Sequence, residues 1–279
     1  MSRRSPGDIC LAVGELYFQL RCADADLERR LAHLYRAFLS SEPQPPHLHA
    51  ELVVETPIVP HAPLEPAFTF ERGRLRLAGP GVVEGWVDAG RKTGRLVLNT
   101  SCAVAYAEYF LRAACALVAF EAGGLLLHAA GVVRGGRAYL FLGPSGSGKT
   151  TVTSFASPGD RVLNDDLVVV RPEGGGWRAY ATPFSSPPGR EEFRPGSARV
   201  AGLFRLVQSR DVVAIPLAPA QAVAELAANA PVICADRGRG AALLGRCAAL
   251  ADQVPAHALH FRRDPSFWDA VERAALSVP

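Results

Sequence analysis

The sequence predicts a mixed α/β fold, in detail α+β, with a loop-bearing core and a mixed sheet in residues 101–279 and a small β-rich α+β module in residues 1–100. Two observations carry this reading. The apolar run AYLFLG (138–143) leads directly into GPSGSGKT (143–150) and then into a helix-forming segment, the strand, loop and helix order of a phosphate-binding unit. The first hundred residues instead hold short strand-like pieces punctuated by Gly and Pro, preceded by one amphipathic helix.

Composition narrows the function classes. The chain has 279 residues, 49% of them hydrophobic, which is ample for a buried core. Its 30 basic and 27 acidic residues are interspersed, so no basic stripe marks a nucleic-acid partner. Cys10, Cys22, Cys102, Cys115, Cys234 and Cys247 form no CxxC pair, which suits reduced thiols rather than a disulfide frame or a zinc site. Asp8 and Glu15 interrupt the apolar patch near the N-terminus, against a signal peptide. Glu108, Arg112, Glu121 and His128 interrupt the apolar region 101–133, against a membrane span. A cytoplasmic protein is expected.

Asp24 to Ser40 places Leu27, Leu31, Leu34, Tyr35 and Phe38 at helical spacing behind an Asp cap. Three prolines in SEPQPPHLHA end that helix, and ELVVET, AFTFERGRLRLA, VVEGWVDA and GRLVLNT follow as strand-like pieces. Residues 101–121 read as the strongest helix, stopped by Gly123 and Gly124. LLLHAAGVV, the turn RGGR and AYLFLG then form a hairpin that delivers the loop. Asp165 follows Lys149 by only sixteen positions, so the helix after the loop is brief, and RVLNDDLVVVRP reads as one strand carrying two adjacent acids. GGGWRAYATPF, VAGLFRLVQ, VVAIPL and HALHFRRD read as strands, and 218–230, 239–254 and 265–276 as helices. SSPPGREEFRPGSA (185–198) reads as a loop.

The loop matches G-x-x-x-x-G-K-[ST] at Gly143, Gly148, Lys149 and Thr150, with Pro144, Ser145, Gly146 and Ser147 between and Thr151 after. Glycine permits the backbone to curl its N–H groups around an anion, where a Cβ would block both the φ values and the approach. Lys149 supplies charge near the β- and γ-phosphates of ATP, and the Thr150 hydroxyl is a ligand for Mg²⁺. Asp165 and Asp166, in an apolar strand near this loop, need partners; one suits a metal and the other an incoming hydroxyl. Hairpin geometry brings His128 alongside the end of the loop-feeding strand, within reach of a phosphate.

LLLHAAGVV, a short turn, YLFLGPSGSGKTT and GDRVLNDD together resemble the C-terminal catalytic domain of HPr kinase/phosphorylase, most strongly over residues 121–190. The resemblance implies a core like the nucleotide domain of phosphoenolpyruvate carboxykinase. It also implies Asp165 as general base for a serine hydroxyl, Asp166 as an aid at the metal and His128 at the phosphate. The glycine-rich segment that true HPr kinases use on their protein substrate is missing, and ATPFSSPPGREEF stands after the acids. In this the chain is similar to HPr-kinase-related kinases of peptide-modification gene clusters, some of which phosphorylate a lasso precursor peptide. HPr kinases assemble, so the resemblance leaves a homo-oligomer open.

The function expected is therefore an ATP- and Mg²⁺-dependent serine kinase acting on a peptide or small protein. A small-molecule kinase would use the same loop and close a lid over it, with Arg190 or Arg194 reaching phosphate. A nucleotide-sensing module would bind ATP without transfer and grip a partner through the front module, whose Trp86 suits a peptide-recognition surface.

Overall fold

A computed structural model of the chain describes residues 8–42, 44–59, 66–79, 81, 83–184 and 193–276. They divide into two compact units, one formed by the chain up to Ala122 with Pro183 and Phe184, and the other by Gly123–Thr182 together with the chain from Phe193 onward. Each unit carries one mixed sheet with helices, an α+β architecture.

The first unit begins with β1 (Asp8–Val13) and β2 (Leu16–Cys22), a hairpin that the sequence pattern did not announce as strands. Its turn is Gly14 and Glu15, both at positive φ (59° and 60°), a conformation that glycine adopts freely and other residues seldom do. Helix α1 (Ala25–Leu34) starts where expected, because the Asp24 carboxylate accepts the Leu27 N–H at 2.7 Å. Next come β3 (Leu48–Val59), β4 (Ala67–Glu71), β5 (Arg74–Gly79), β6 (Val83–Asp88), β7 (Thr93–Thr100) and helix α2 (Ala103–Glu121). AFTFERGRLRLA is two strands rather than one, since Arg72 (φ 51°) and Gly73 (φ 80°) make a tight hairpin turn between β4 and β5.

The sheet order is β1-β2-β3-β7-β6-β5-β4, with β3 parallel to β2 and β7 and the other pairs antiparallel. Leu75, Leu77, Val83, Val87, Leu96 and Leu98 alternate with polar residues and bury one face of this sheet. Among the described residues α2 is the one helix long and apolar enough to cross a membrane. Most of it is buried inside the protein, and its buried Glu108 is paired with Arg112 at 2.8 Å.

The second unit opens with β8 (Leu125–Arg134) and β9 (Arg137–Leu142), joined at Gly135 and Gly136 as the sequence led us to expect. Helix α3 (Lys149–Ser154) is indeed short. The expected single strand through Asp165 and Asp166 is interrupted: β10 (Arg161–Asn164) and β11 (Leu167–Glu173) flank a bend that holds the two acids, and both strands pair with β8. Beyond them lie β12 (Gly176–Tyr180), β13 (Ser197–Gln208), β14 (Val213–Pro216), α4 (Pro219–Ala228), α5 (Gly240–Ala251), β15 (Ala256–Phe261) and α6 (Phe267–Leu276). The expected loop at 185–198 lies largely outside the described residues, including Arg190; Ser197 and Ala198 already belong to β13.

Strand pairing closes a ring in this unit: β8 to β9, β9 to β13, β13 to β12, β12 to β11 and β11 back to β8. Pairs β9–β13 and β13–β15 are parallel, so the C-terminal ends of three strands meet at the end where the glycine loop leaves β9. Beneath them Phe141, Phe204, Phe261, Phe267 and Trp268 interlock, with ring centroids 5.1–6.3 Å apart. Gly202 is required here, for a Cβ at that position would lie 2.6 Å from the Phe204 ring.

His257, buried in β15, stacks on Phe204 with centroids 5.7 Å apart, and its Nδ1 has no hydrogen-bond partner among the described residues. Burial lowers its pKa below the usual 6.5. The unfolded chain therefore takes up a proton near pH 6.5 that the folded chain resists, and stability falls as pH drops from that point toward the lower folded value. His257→Leu is expected to flatten this loss: between pH 7 and pH 5 the melting temperature of the wild type falls further than that of the variant.

Candidate functional site

The glycine loop occupies residues 143–148, between the end of β9 and α3. Gly143 (φ 152°), Gly146 (φ 80°) and Gly148 (φ 111°) all adopt backbone conformations that side chains disfavour. Two of them are also tightly enclosed. A Cβ on Gly143 would lie 2.6 Å from Ser147 Oγ, and one on Gly148 would lie 2.5 Å from the Phe261 ring. The Gln208 side chain, at the end of β13, donates from Nε2 to the Gly146 carbonyl at 2.8 Å. Gln208 and Phe261 are paired neighbours at the ends of β13 and β15, so two adjoining strands brace the loop that the third delivers.

Lys149 is nearly buried, at 7% exposure, and its Nζ donates to the carbonyls of Gly143 (2.8 Å) and Pro144 (3.1 Å). Burial lowers its pKa, while the charges of Asp166 and Asp165 act in the opposite direction. The ammonium thus sits inside the curl of the loop, held by carbonyl dipoles and in the field of both acids. Ser147 Oγ is buried without a hydrogen-bond partner among the described residues. A cationic head in the loop, an orphaned hydroxyl and glycines where a Cβ would obstruct are what a bound phosphate chain requires.

Asn164 fixes the acids. Wholly buried, it donates from Nδ2 to the carbonyl and hydroxyl oxygens of Thr182 (3.1 and 3.2 Å), and its Oδ1 accepts the N–H groups of Asp166 (2.7 Å) and Leu167 (2.8 Å). The Thr182 hydroxyl donates in turn to the Leu167 carbonyl at 2.6 Å. The Asp166 carbonyl accepts from the Ala129 N–H at 2.9 Å, tying the bend to β8.

The acids then diverge. The Thr150 hydroxyl approaches Asp165 Oδ2 at 3.3 Å, and His128 Nε2 lies 3.0 Å from Asp166 Oδ1. His128 is placed by register, opposite Leu167 on β11 and one residue before the Ala129–Leu142 pair that ends the hairpin with β9. Its own N–H donates to the Asn229 carbonyl at 2.7 Å. The link from α3 to β10 is held as well: Asp160 accepts from the Ser157 N–H (2.8 Å) and from Arg134 (3.1 Å), which also bonds Glu272 at 2.6 Å and lies over the Trp268 ring.

His128, Lys149, Thr150, Asp165 and Asp166, singled out in the sequence, therefore share one locality. Pro144 and Ser145 are exposed on the loop and Thr151 lies in the first turn of α3. Arg194 is directed to the Phe193 carbonyl at 3.2 Å. Among the described residues no three His, Cys, Asp or Glu side chains gather to hold a metal by themselves. A Mg²⁺ at this site would rely on Thr150, one acid and oxygens of the ligand it accompanies.

Sequence reasoning missed Asn164, Thr182, Gln208 and Phe261. Asn164 had a signal, an amide inside an apolar strand that must find partners. The other three owe their roles to strand pairing.

Asn164→Ala removes the acceptor of the buried Leu167 N–H and of the part-buried Asp166 N–H, and is expected to cost about 2–4 kcal/mol in denaturant unfolding. Gln208→Leu, which removes one exposed bond, is expected to cost less than about 1 kcal/mol in the same assay.

A protein-family model described as ScmC, SynChlorMet cassette protein ScmC, matches residues 111–277. No curated protein matches the chain. This finding corrects the resemblance drawn from the motifs: the family is not an HPr kinase family, and of the expected fold the structure shows the coarser part, an α+β architecture with two mixed sheets. The shared residues are short and local, a glycine loop, two acids and a histidine. Phosphate geometry selects such residues on unrelated chains, so they do not by themselves carry kinship.

Proposed function

The chain belongs to the ScmC family, and from the site that it carries we propose that it is an ATP-dependent kinase, transferring the γ-phosphate to a serine of a peptide or small protein. The observation that carries the reading is the approach of Thr150 Oγ1 to Asp165 Oδ2 at 3.3 Å, beside a glycine loop whose lysine lies within the field of both acids. A hydroxyl at the end of a glycine loop, facing a strand-end carboxylate, is the pair that holds Mg²⁺ against nucleotide phosphates in loop-type NTPases.

The sequence expectation gave the proton to Asp165 and the metal to Asp166. The geometry favours the opposite division. Thr150 and Asp165 would hold Mg²⁺, which when bound would supply positive charge to the phosphate oxygens. Lys149, which now bonds the Gly143 and Pro144 carbonyls, would turn to the phosphates, and the backbone of 143–150 would cradle them. Asp166, oriented by His128, accepts the proton of the serine hydroxyl as its oxygen bonds to the γ-phosphorus and ADP departs. Transfer, rather than binding alone, is supported by this second carboxylate, which a pure sensor would not need beside the first.

The test separates these roles. By calorimetry Mg²⁺-ATP is expected to bind the wild type, with at least a tenfold loss in Lys149→Met; a wild type that binds no nucleotide overturns the reading. Mass spectrometry of serine-containing peptides incubated with ATP is expected to reveal a gain of one phosphate. Asp166→Asn should lower that rate by roughly 10²–10⁴-fold with nucleotide affinity little changed, whereas Asp165→Asn should raise the Mg²⁺ concentration needed for half-maximal rate. Full activity in both variants removes the mechanism.

A further inference from the structure

The outward face of the first sheet carries a feature that the kinase site does not use. A hollow of about 860 Å³ opens over β5, β6 and the two turns beside them, and Arg72, Arg74, Arg76 and Arg91 line it with Trp86. Only two acids, Glu71 and Asp88, share the lining. Strand register explains the gathering: Arg76 stands opposite Trp86, Arg74 opposite Glu71, and Trp86 opposite Arg95, all on the face turned away from the buried leucines.

The cations are unequally satisfied. Arg76 bonds Glu71 (3.1 Å) and Glu84 (3.0 Å), while Arg74 reaches Asp88 (3.4 Å) and lies over the Trp86 ring at 4.5 Å. Arg72 makes no ion pair among the described residues, and Arg91 is highly exposed, with its guanidinium 3.9 Å from Asp88. Two guanidiniums thus extend from neighbouring turns at one end of the sheet, beside an aromatic ring already capped by a third. Arginine and tryptophan are the residues that dominate binding where proteins meet partners.

We propose that this hollow docks an acidic stretch of the peptide or small-protein substrate, and so selects the chain that the kinase modifies. The substrate role rests on the kinase reading; the binding does not. The excess of two positive charges in the lining calls for carboxylates, which guanidiniums receive in paired bonds. A nucleic-acid backbone, charged at every nucleotide, has no uncharged group to set beside Glu71 and Asp88, whereas a peptide can offer them main-chain N–H groups between its carboxylates. Exposed pairs of this kind act mainly on encounter and specificity, so the affinity is expected to depend steeply on salt.

The experiment uses the full chain and fluorescein-labelled (Glu-Gly)₄, (Lys-Gly)₄ and an eight-nucleotide oligouridylate, followed by anisotropy at low and high salt. The glutamate peptide is expected to bind, to weaken at least tenfold in Arg72→Glu/Arg91→Glu, and to weaken again at high salt, with the lysine peptide inert. Both substitutions lie on turns and leave the Arg91 N–H bond to Asp88 in place. Absence of binding, equal affinity in the double variant, or tighter binding of the oligouridylate overturns the docking proposal. ADP binding measured on the same samples keeps the two readings apart: lost peptide binding with intact nucleotide binding rejects the dock alone, and the reverse pattern rejects the kinase alone.

Discussion

Asn164 has no contact with solvent, so each polar atom of its amide must be matched inside the protein, and the matching decides where the two acids stand. One end of the amide grips Thr182 and the other holds the N–H groups of Asp166 and Leu167. Strand β10 stops at this amide and β11 starts beyond it, and both remain paired to β8. Because the bend is fixed at its base, its two carboxylates point to different partners, the hydroxyl of Thr150 and the imidazole of His128. A continuous strand would have sent adjacent side chains to opposite faces of the sheet, and only one could have faced the loop.

The second constraint is parallel pairing. Strands β9, β13 and β15 run the same way, so their C-terminal ends all emerge at one end of the sheet. That end receives the glycine loop from β9, an amide clamp from β13 and an aromatic ring from β15. The aromatic cluster beneath gives those strand ends a rigid base. A loop of small residues carries little packing of its own, and its shape is therefore imposed by neighbours far away in the chain.

The two units present different surfaces. The second builds a site from short-range geometry, with carbonyls, hydroxyls and carboxylates in direct contact. The first presents an extended polar face whose arginines outnumber the acids only locally, around Trp86. The near-neutral composition of the chain, +3 overall, conceals this gathering: Arg72, Arg74 and Arg76 alternate along one short stretch, and strand register adds Trp86 and the turn adds Arg91.

Local chemistry made much of this protein legible from its residues. The octet 143–150 announces its own backbone shape, because glycine adopts those φ values freely and other residues seldom do; RGGR announces the hairpin that delivers it; and the apolar setting of Asp165 and Asp166 shows that they need partners. Kinship was not legible in that octet, since the same short motif arises wherever phosphate must be held, and the longer match over 111–277 was needed to give the family. The hairpin of β1 and β2 was hidden because its turn uses Glu15 at a positive φ that few sequences advertise. Which acid faces Thr150 and which His128, and the parts played by Gln208 and Phe261, were decided by tertiary structure. Strand register is a long-range property, set by burial across the whole sheet, and no window of neighbouring residues contains it.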